Sequence, residues 1–473
     1  MMRSAAALAA AVHGQLHGND VRFEAVVTDS RAVARGDCFF ALSGPRFDAH
    51  QFLDQVAGAG AALAVVGHAT DADITQVVVD DPLTALQRFA AAWRAQFALP
   101  LVGVTGANGK TTVRALCETV LAPMAPVLAT TGNLNNHIGV PLVLSRLRDV
   151  HRVAVIEMGA NHLGEIAALT AMARPTVGVV TNSGNAHLDG FGSREAAAQG
   201  EGGELLEGLP NDGVAVINAD DPCVALMEKA AGSRRCLRFG IDAADVDVAA
   251  EAIVAEPVQA PTRMHFMLRL GEARVPVQLP LPGRHNVSNA LAAAAAAHAL
   301  GIAPAAIAEG LSRAQPVQGR LVWRDGAAGC RVLDDSYNAN PDSLAAGIAV
   351  LAQSQGTRVL VLGDMAELGA TAAEHHAEAG RRARAAGIEG LYTAGPLAAQ
   401  AAAVFGEAAQ SFDDATALAA ALPSLASRDW VVLVKGSRSA GMERVVQALC
   451  PPPVASNHNK DNERGASHAV SPQ

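Results

Sequence analysis

The residues best suited to chemistry form the glycine-rich turn Gly106-Ala107-Asn108-Gly109-Lys110-Thr111-Thr112. A hydrophobic run precedes it and a helical pattern follows, so its glycines permit positive φ and the first helical amides point at the bound group. In such turns the lysine reaches the terminal phosphates of a nucleotide and the first threonine binds Mg²⁺. The first glycine of the strict spacing stands one residue early, at Gly103. The chain has only four lysines, and Lys110 is one of them, which favours a phosphate-binding loop over a plain strand-to-helix turn.

A carboxylate at the end of a second hydrophobic run is a candidate metal ligand. The run 153–157 ends in Glu157, where a magnesium-binding acid would stand beside a phosphate loop. Parallel strands that end at one sheet edge would also bring the loop after Val180 to the phosphates. That loop contains His187, which could coordinate a metal, although a single histidine is more often a structural hydrogen-bonding residue.

Two asparagine-rich segments, 131–139 and 334–342, place several amides in predicted loops. Amide side chains are poor core material and orient polar substrates well. Turns and helix caps are the alternative interpretation, because asparagine is also common there.

Composition limits the class of protein. The chain has 473 residues, 50% hydrophobic and 17% charged, which predicts several globular domains. A net charge of -10 argues against non-specific nucleic-acid binding. No apolar run is long enough for a membrane span, and we interpret residues 1–11 as a first helix rather than a signal peptide. Six scattered cysteines without a C-x-x-C pair favour reduced thiols and a cytoplasmic location. Separately, we expect the protein to be a monomer.

The positioning elements fall into three blocks and a tail. We predict domains at 1–97, 98–312 and 313–450, followed by a disordered tail at 451–473. Short strands are predicted in the first block at 21–28, 38–42, 64–66 and 76–79. The second block has unalternating hydrophobic runs at 99–104, 153–157, 177–181 and 214–218, separated by helical stretches, which predicts a parallel sheet with helices on both faces.

Two further patterns complete the organisation. The stretch 246–281 alternates like an antiparallel flap, and an alanine-rich helix is predicted from about 287 to 300. The third block has predicted strands at 331–334, 358–362, 390–393 and 430–434 with helices between them. We therefore expect an α/β protein throughout.

With these motifs in order, the chain resembles the Mur ligase family. The resemblance is carried by ten segments that span nearly the whole chain except its tail: 29–31, 36–42, 106–112, 133–139, 157–162, 283–286, 319–320, 335–341, 362–365 and 435–438. It implies a smaller N-terminal α/β domain that binds a uridine nucleotide, a central doubly wound P-loop ATPase domain, and a C-terminal Rossmann-like domain that closes over ATP.

The resemblance also implies a reaction. A carboxylate of UDP-N-acetylmuramoyl-tripeptide would take the γ-phosphate of ATP, and the amine of D-alanyl-D-alanine would then attack the acyl phosphate. The segments 335–341 and 39–42 favour D-alanyl-D-alanine as the added group. The alternatives are another amino-acid ligase of the superfamily, such as another Mur step or a folylpolyglutamate synthase-like enzyme, and a non-catalytic nucleotide-binding relative.

Matching positions imply the following roles. Catalytic roles fall on Lys110, Glu157, His187, Arg320 and Lys435. Nucleotide contacts fall on 106–112, Asn286, Asn289, Arg320 and Asp335, and magnesium ligands on Thr111, Glu157 and His187. The uridine nucleotide would meet Ser30, Arg31, Arg46 and His50, and the peptide ends Asn135, Asn136, Asn338, Asn340 and Arg438. For Arg46, His50 and the asparagines, surface or capping roles stay equally open.

One segment departs from the family. The resemblance implies a carbamylated lysine after the His187 loop that binds a second Mg²⁺, yet 194–205 contains no lysine. Alignment on the following residues puts Gly202 at that position, and one extra residue upstream makes Glu201 an equally possible occupant. Our hypothesis is that Glu201 supplies the missing anionic oxygen, with the neighbouring glycines letting the loop move inward. The alternative is a solvated Glu201 and a weakly held second metal.

Overall fold

The computed structural model describes residues 3–45, 47–184, 188–256 and 262–451. Arg46, His187 and positions 452–473 of the predicted tail lie outside these ranges. No helix within them combines the length and apolar character that crossing a bilayer requires. All six cysteines are free thiols in the structure.

The N-terminal part is built on a five-stranded sheet of order β1-β7-β6-β3-β2, with a small hairpin beside it. Its strands are β1 (Gln15–His17), β2 (Val26–Val27), β3 (Cys38–Phe40), β6 (Leu63–Val66) and β7 (Thr75–Val78), the hairpin is β4 (Ser43–Gly44) and β5 (Phe47–Asp48), and the helices are α1 (Ala5–Val12), α2 (Leu53–Gly58) and α3 (Pro82–Arg94). The predicted strand at 21–28 is wrong in extent. Upstream of β2 the backbone pairs with the N-terminal segment instead, since Ala5 N donates to Val21 O and Phe23 N donates to Arg3 O.

The central part is built on a nine-stranded sheet of order β16-β15-β14-β13-β12-β11-β8-β10-β9. Its strands are β8 (Leu101–Thr105), β9 (Val127–Ala129), β10 (Val153–Glu157), β11 (Val177–Val180), β12 (Val214–Asn218), β13 (Arg235–Gly240), β14 (Val248–Ala255), β15 (Met264–Leu270) and β16 (Ala273–Leu279). Its helices are α4 (Lys110–Val120), α5 (Gly139–Leu144), α6 (Glu165–Ala173), α7 (Leu188–Phe191), α8 (Arg194–Ala198), α9 (Glu204–Glu207), α10 (Val224–Ala231), α11 (Arg284–Ala299) and α12 (Pro304–Ser312).

The register of this sheet brings three strand ends to one level. β8 lies between β10 and β11, with Glu157 opposite Val104 and Val180 opposite Thr105. All three strands are buried along their length, which explains why their sequences do not alternate. The predicted flap at 246–281 is the antiparallel β14-β15-β16 extension of the same sheet.

The C-terminal part is a six-stranded sheet of order β17-β18-β22-β19-β20-β21, parallel except at β17. Its strands are β17 (Val322–Asp325), β18 (Arg331–Asp335), β19 (Thr357–Gly363), β20 (Gly390–Ala394), β21 (Ala409–Phe412) and β22 (Trp430–Lys435). Its helices are α13 (Pro341–Ala352), α14 (Ala372–Ala385), α15 (Ala398–Phe405), α16 (Ala415–Leu425) and α17 (Glu443–Leu449). The predicted α/β class with parallel-rich sheets is confirmed, while the domain boundaries remain a prediction.

The alanine-rich helix α11 lies in the core of the central part. Its residues 290–297 are almost fully buried, and they pack with the sheet and with α4. Small side chains let the helix lie close to its neighbours, so little free space remains around it.

We expect Ala294→Leu to lower the free energy of unfolding by about 1–3 kcal/mol, because the larger side chain overpacks a fully buried position. The matched control is Ala305→Leu on α12, where the alanine is exposed and the change should stay within about 0.5 kcal/mol. Urea unfolding followed by circular dichroism measures both. Equal effects at the two positions would contradict close packing around α11.

Candidate active site

The glycine-rich turn leaves β8 and enters α4 through two glycines with positive φ, Gly106 at 123° and Gly109 at 84°. A Cβ at Gly106 would overlap Thr181 Oγ1, and one at Gly109 would overlap the amide of Asn289. Both positions therefore require glycine for conformation and for space. The turn leaves the N-terminal amides of α4 directed into the cleft, as a phosphate site needs.

Two residues after β11 hold this turn in place, and sequence reasoning assigned neither a role. Thr181 Oγ1 and Asn182 Nδ2 donate to Asn108 O at 2.7 and 2.9 Å. Asn182 also accepts from the backbone, with Ala107 N donating to its carbonyl and Asn108 N to its Oδ1. The sequence pattern could have predicted this contact, because Thr181 and Asn182 follow a strand parallel to β8 and the carboxyl ends of adjacent parallel strands meet at one edge of the sheet.

Glu157 ends β10 and points at the start of α4. Its Oε1 accepts from Thr111 Oγ1 at 3.1 Å and from Asn135 Nδ2 at 2.9 Å. Its Oε2 is buried and has no hydrogen-bond partner within the described chain. A buried carboxylate oxygen left without a donor is costly, and a hard divalent cation would satisfy it.

Lys110 lies back over the turn. Its Nζ donates to the carbonyl oxygens of Gly106 and Ala107 and lies 3.4 Å from Glu201 Oε1. Glu201 is 2% exposed, so the alternative of a solvated side chain at this position does not hold, while its predicted role as a metal ligand stays a prediction. Consecutive residues of α4, Lys110 and Thr111, thus each contact a buried carboxylate.

No group of three or more histidine, cysteine, aspartate or glutamate side chains gathers into a metal cluster in the ranges that the structure describes. His187 is outside those ranges, so its predicted metal role is untested. Two separate carboxylates beside a phosphate loop suit Mg²⁺, which keeps several waters and binds through one or two carboxylates together with substrate phosphates.

Most of the predicted nucleotide-contact residues line a cavity of about 230 Å³ on one side of the turn, whereas Ala107 and Lys110 line a second, larger cavity. Asn286 and Asn289 form one wall from the first turns of α11, and they are joined by a hydrogen bond of 3.0 Å. Asp335 and Lys435, at the ends of β18 and β22, line the opposite side. The cavity therefore lies between the central and C-terminal parts.

Lys435 and Asp335 form a buried ion pair rather than free charges. Lys435 is 2% exposed, and its Nζ donates to Asp335 Oδ2 at 2.6 Å and to Asn338 O at 2.9 Å. Burial raises the pKa of Asp335 and lowers that of Lys435, while each partner opposes the shift of the other. Burial and the charge of Lys435 also lower the pKa of the neighbouring His285 to about 4.

A second cavity of about 640 Å³ lies on the other side of the turn and contains the predicted peptide-holding residues Asn135, Asn136, Asn338, Asn340 and Arg438. Arg320 lines both cavities. Its guanidinium lies 4.3 Å from the centroid of the Tyr337 ring, and that of Arg438 lies 5.8 Å from the same ring. Tyr337 thus orients two arginines at the cleft, a role that its presence in the 335–341 motif alone did not reveal.

The asparagines of this cavity also stabilise the local fold. Asn136 Oδ1 accepts from the backbone of Ile138 and Gly139 at the start of α5. Asn340 Oδ1 caps α13 by accepting from Ser343 N, and its Nδ2 donates to Asn108 Oδ1 at 2.9 Å. Asn340 therefore joins the C-terminal part directly to the glycine-rich turn.

The predicted uridine-contact residues are not brought to this cleft. Ser30, Arg31 and His50 line neither cavity, and Arg31 is exposed and paired with Asp29. Gly67 N donates to His50 Nε2, so the ring proton is on Nδ1, which donates to Asp48 at 2.6 Å. His50 thus has a structural role here, and Arg46 lies outside the described residues.

Comparison with known proteins identifies the group of enzymes that this site resembles. The model of the Mur ligase middle domain matches residues 104–297, and that of the Mur ligase glutamate ligase domain matches residues 319–438. The UDP-N-acetylmuramoyl-tripeptide–D-alanyl-D-alanine ligase of Escherichia coli (strain K12) is 42% identical, over 93% of this chain and 96% of that protein. The chain belongs to the Mur ligase family.

Solved structures of the family agree with the architecture. A MurF structure from Acinetobacter baumannii has a TM-score of 0.86 and 36% identity, covering 93% of this chain and 96% of that one. A MurF ligase from Thermotoga maritima, solved in complex with ADP, has a TM-score of 0.79 and 28% identity, covering 90% of this chain and 96% of that one. The predicted three-domain α/β fold is confirmed by these matches.

We expect Asn340→Asp to lower kcat/KM for ATP about tenfold, because an oxygen would replace the Nδ2 that donates to Asn108 Oδ1. Aspartate is as good a helix cap as asparagine, so the midpoint temperature of thermal unfolding should be the same as in the wild type. Asn340→Ala is the comparison, since it removes both the cap and the contact and should lower stability as well. Steady-state kinetics and thermal unfolding measure the two effects. An unchanged kcat/KM in Asn340→Asp would show that the contact to the turn is not used.

We expect Lys435→Met to lower the free energy of unfolding by about 3–5 kcal/mol, because it leaves the Asp335 carboxyl buried without its partner. The double variant with Asp335→Asn should regain most of this loss without regaining activity. Arg358→Met is the control, because its ion pair with Glu389 is partly exposed and is worth about 0–1 kcal/mol. Denaturation followed by tryptophan fluorescence reports on this part through Trp323 and Trp430. A double variant no more stable than Lys435→Met would contradict the stranded-charge explanation.

Proposed function

We propose that the chain is an ATP-dependent ligase that joins D-alanyl-D-alanine to UDP-N-acetylmuramoyl-tripeptide through an acyl phosphate. The observation that carries this is the meeting of two cavities at one phosphate loop, with Arg320 lining both. Members of the matched group at 42% and 37% identity bear this activity in their names.

The smaller cavity suits the nucleotide. Asn286 and Asn289 would contact the base, and Asp335 would contact the ribose or the hinge between the two parts. The relative from Thermotoga maritima with bound ADP supports ATP as the nucleotide. Lys110 already extends along the turn, so it needs only to exchange carbonyl oxygens for phosphate oxygens when ATP enters.

The larger cavity suits the acceptor carboxylate and the incoming amine. Arg320 and Arg438, both against Tyr337, would hold anionic oxygens of the acyl phosphate and the peptide end. The amides of Asn135, Asn136, Asn338 and Asn340 would orient the peptides. Positioning of two large substrates then supplies much of the rate acceleration.

Mg²⁺ fits the residues beside the loop. Thr111, Glu157 and His187 would hold it. The observation that supports this fit is the buried Oε2 of Glu157, which has no hydrogen-bond partner among the described residues. The cation would neutralise charge on the transferred phosphoryl group. In this proposal the uridine nucleotide would contact Ser30, Arg31, Arg46 and His50, the last in addition to its hydrogen bonds with Asp48 and Gly67, and the protein acts as a monomer in the cytoplasm.

The decisive experiment measures phosphate release with ATP, UDP-N-acetylmuramoyl-tripeptide and D-alanyl-D-alanine, each omitted in turn. We expect phosphate release and a pentapeptide product by mass spectrometry only when all three are present. Lys110→Met should lower kcat by about 10²–10³-fold, because a preorganised cation at the phosphates is lost. Arg152→Met is the control, since this arginine is exposed and lines neither cavity.

Other outcomes would identify the alternatives. Turnover with single amino acids but not with the dipeptide would indicate another ligase step of the superfamily. ATP binding without phosphate release, with both substrates present, would indicate a non-catalytic relative and overturn the proposal.

A further inference from the structure

A π-helical turn places a buried carboxylate beside the phosphate loop. The turn spans Gln199–Gly203 between α8 and α9, and Glu201 in its middle is 2% exposed. A π-turn accommodates one more residue than an α-turn and is frequent at functional sites. Within this turn Glu201, and not the neighbouring Gly202, places its side chain beside Lys110, with Oε1 3.4 Å from Nζ.

The glycines around Glu201 pack tightly and fix its direction. A Cβ at Gly200 would overlap the Phe191 ring, and one at Gly202 would overlap Met227. The same added Cβ at Gly202 would lie 2.9 Å from Val180, so the turn is seated against the end of β11. The expectation that these glycines give the loop freedom to move inward is therefore replaced by close packing.

The charge of Glu201 is balanced by one cation in the part of the chain that the structure describes. Lys110 is its ion-pair partner, at 3.4 Å, and it also donates to two carbonyl oxygens of the turn. If a triphosphate binds at the loop as proposed above, Lys110 would exchange these oxygens for phosphate oxygens, and several negative charges would arrive beside Glu201. A buried carboxylate next to phosphates and without a cation is strongly unfavourable.

We propose that Glu201 is a metal ligand that binds a divalent cation at the terminal phosphates when Lys110 leaves it. This rests on the proposed ATP-dependent function. Carboxylate and phosphate oxygens are the ligands that Mg²⁺ prefers, so a cation between Glu201 and the nucleotide satisfies both. Glu157 ends β10, on the other side of β8 from β11, and accepts a hydrogen bond from Thr111 Oγ1. The two carboxylates thus flank the first turn of α4.

The test measures Mn²⁺ binding by electron paramagnetic resonance of the free ion, with the protein saturated by a non-hydrolysable ATP analogue. Loss of even an outer-shell partner weakens metal sites by about 10–100-fold, so Glu201→Gln should raise the Mn²⁺ dissociation constant at least tenfold. The increase should be larger with the ATP analogue than with ADP, because the ion lies at the terminal phosphate. Glu207→Gln is the control, since Glu207 is exposed on α9 and bonds Gln199.

Glu201→Asp keeps a carboxylate on a shorter side chain and should give an intermediate Mn²⁺ affinity, which keeps the test usable if Glu201→Gln unfolds. If Glu201 only braces Lys110, Glu201→Gln would alter nucleotide binding in EDTA and leave Mn²⁺ affinity unchanged, which would overturn the inference. If the wild-type chain bound no Mn²⁺ with the analogue, the proposed function would fail instead. The two failures are therefore separate.

Discussion

Two carboxylates buried beside the first turn of α4 set the electrostatic condition that the rest of the site must satisfy. Glu157 is met by neutral donors, from Thr111 and Asn135, whereas Glu201 is met by the charge of Lys110. Neither carboxylate is well screened by water, so charges added to the loop must arrive in compensating pairs. A nucleotide and a cation that bind here would therefore be coupled, because each would make the binding of the other more favourable.

The architecture around this cluster explains why three parallel strands are needed. β8 leads into the turn, and β10 ends in Glu157. Thr181 and Asn182, the two residues that follow β11, hold the turn through hydrogen bonds to its backbone. The π-turn also packs against β11, so the position of Glu201 depends on the position of that strand. A shift in the register of any of these three strands would move the turn, Glu157 or Glu201 relative to the others. Burial on both faces of the sheet opposes such a shift.

Much of this could be predicted because the signals are local. A hydrophobic run, a glycine pair and a helix predict the phosphate loop, and strand ends predict Glu157 beside it. The sequence could not predict the burial of Lys435, because a lysine is exposed by default and its partner Asp335 lies a hundred positions away. It could not predict the π-turn either, because a glycine-rich stretch is typical of a loop. The short extent of β2 was also missed, since pairing with the N-terminal segment is non-local.

The smaller cavity has walls of different origin. The wall with Asn286 and Asn289 belongs to α11, which a run of buried alanines ties to the central sheet. The opposite wall is formed by Asp335 and Lys435, which are the last residues of two strands of the C-terminal sheet. This part of the protein contacts the turn through Asn340. A small molecule that contacts only the wall of Asn286 and Asn289 would bind to the same surface in every arrangement of the domains. One that spans both walls would tie the two domains together and would leave only as fast as they separate.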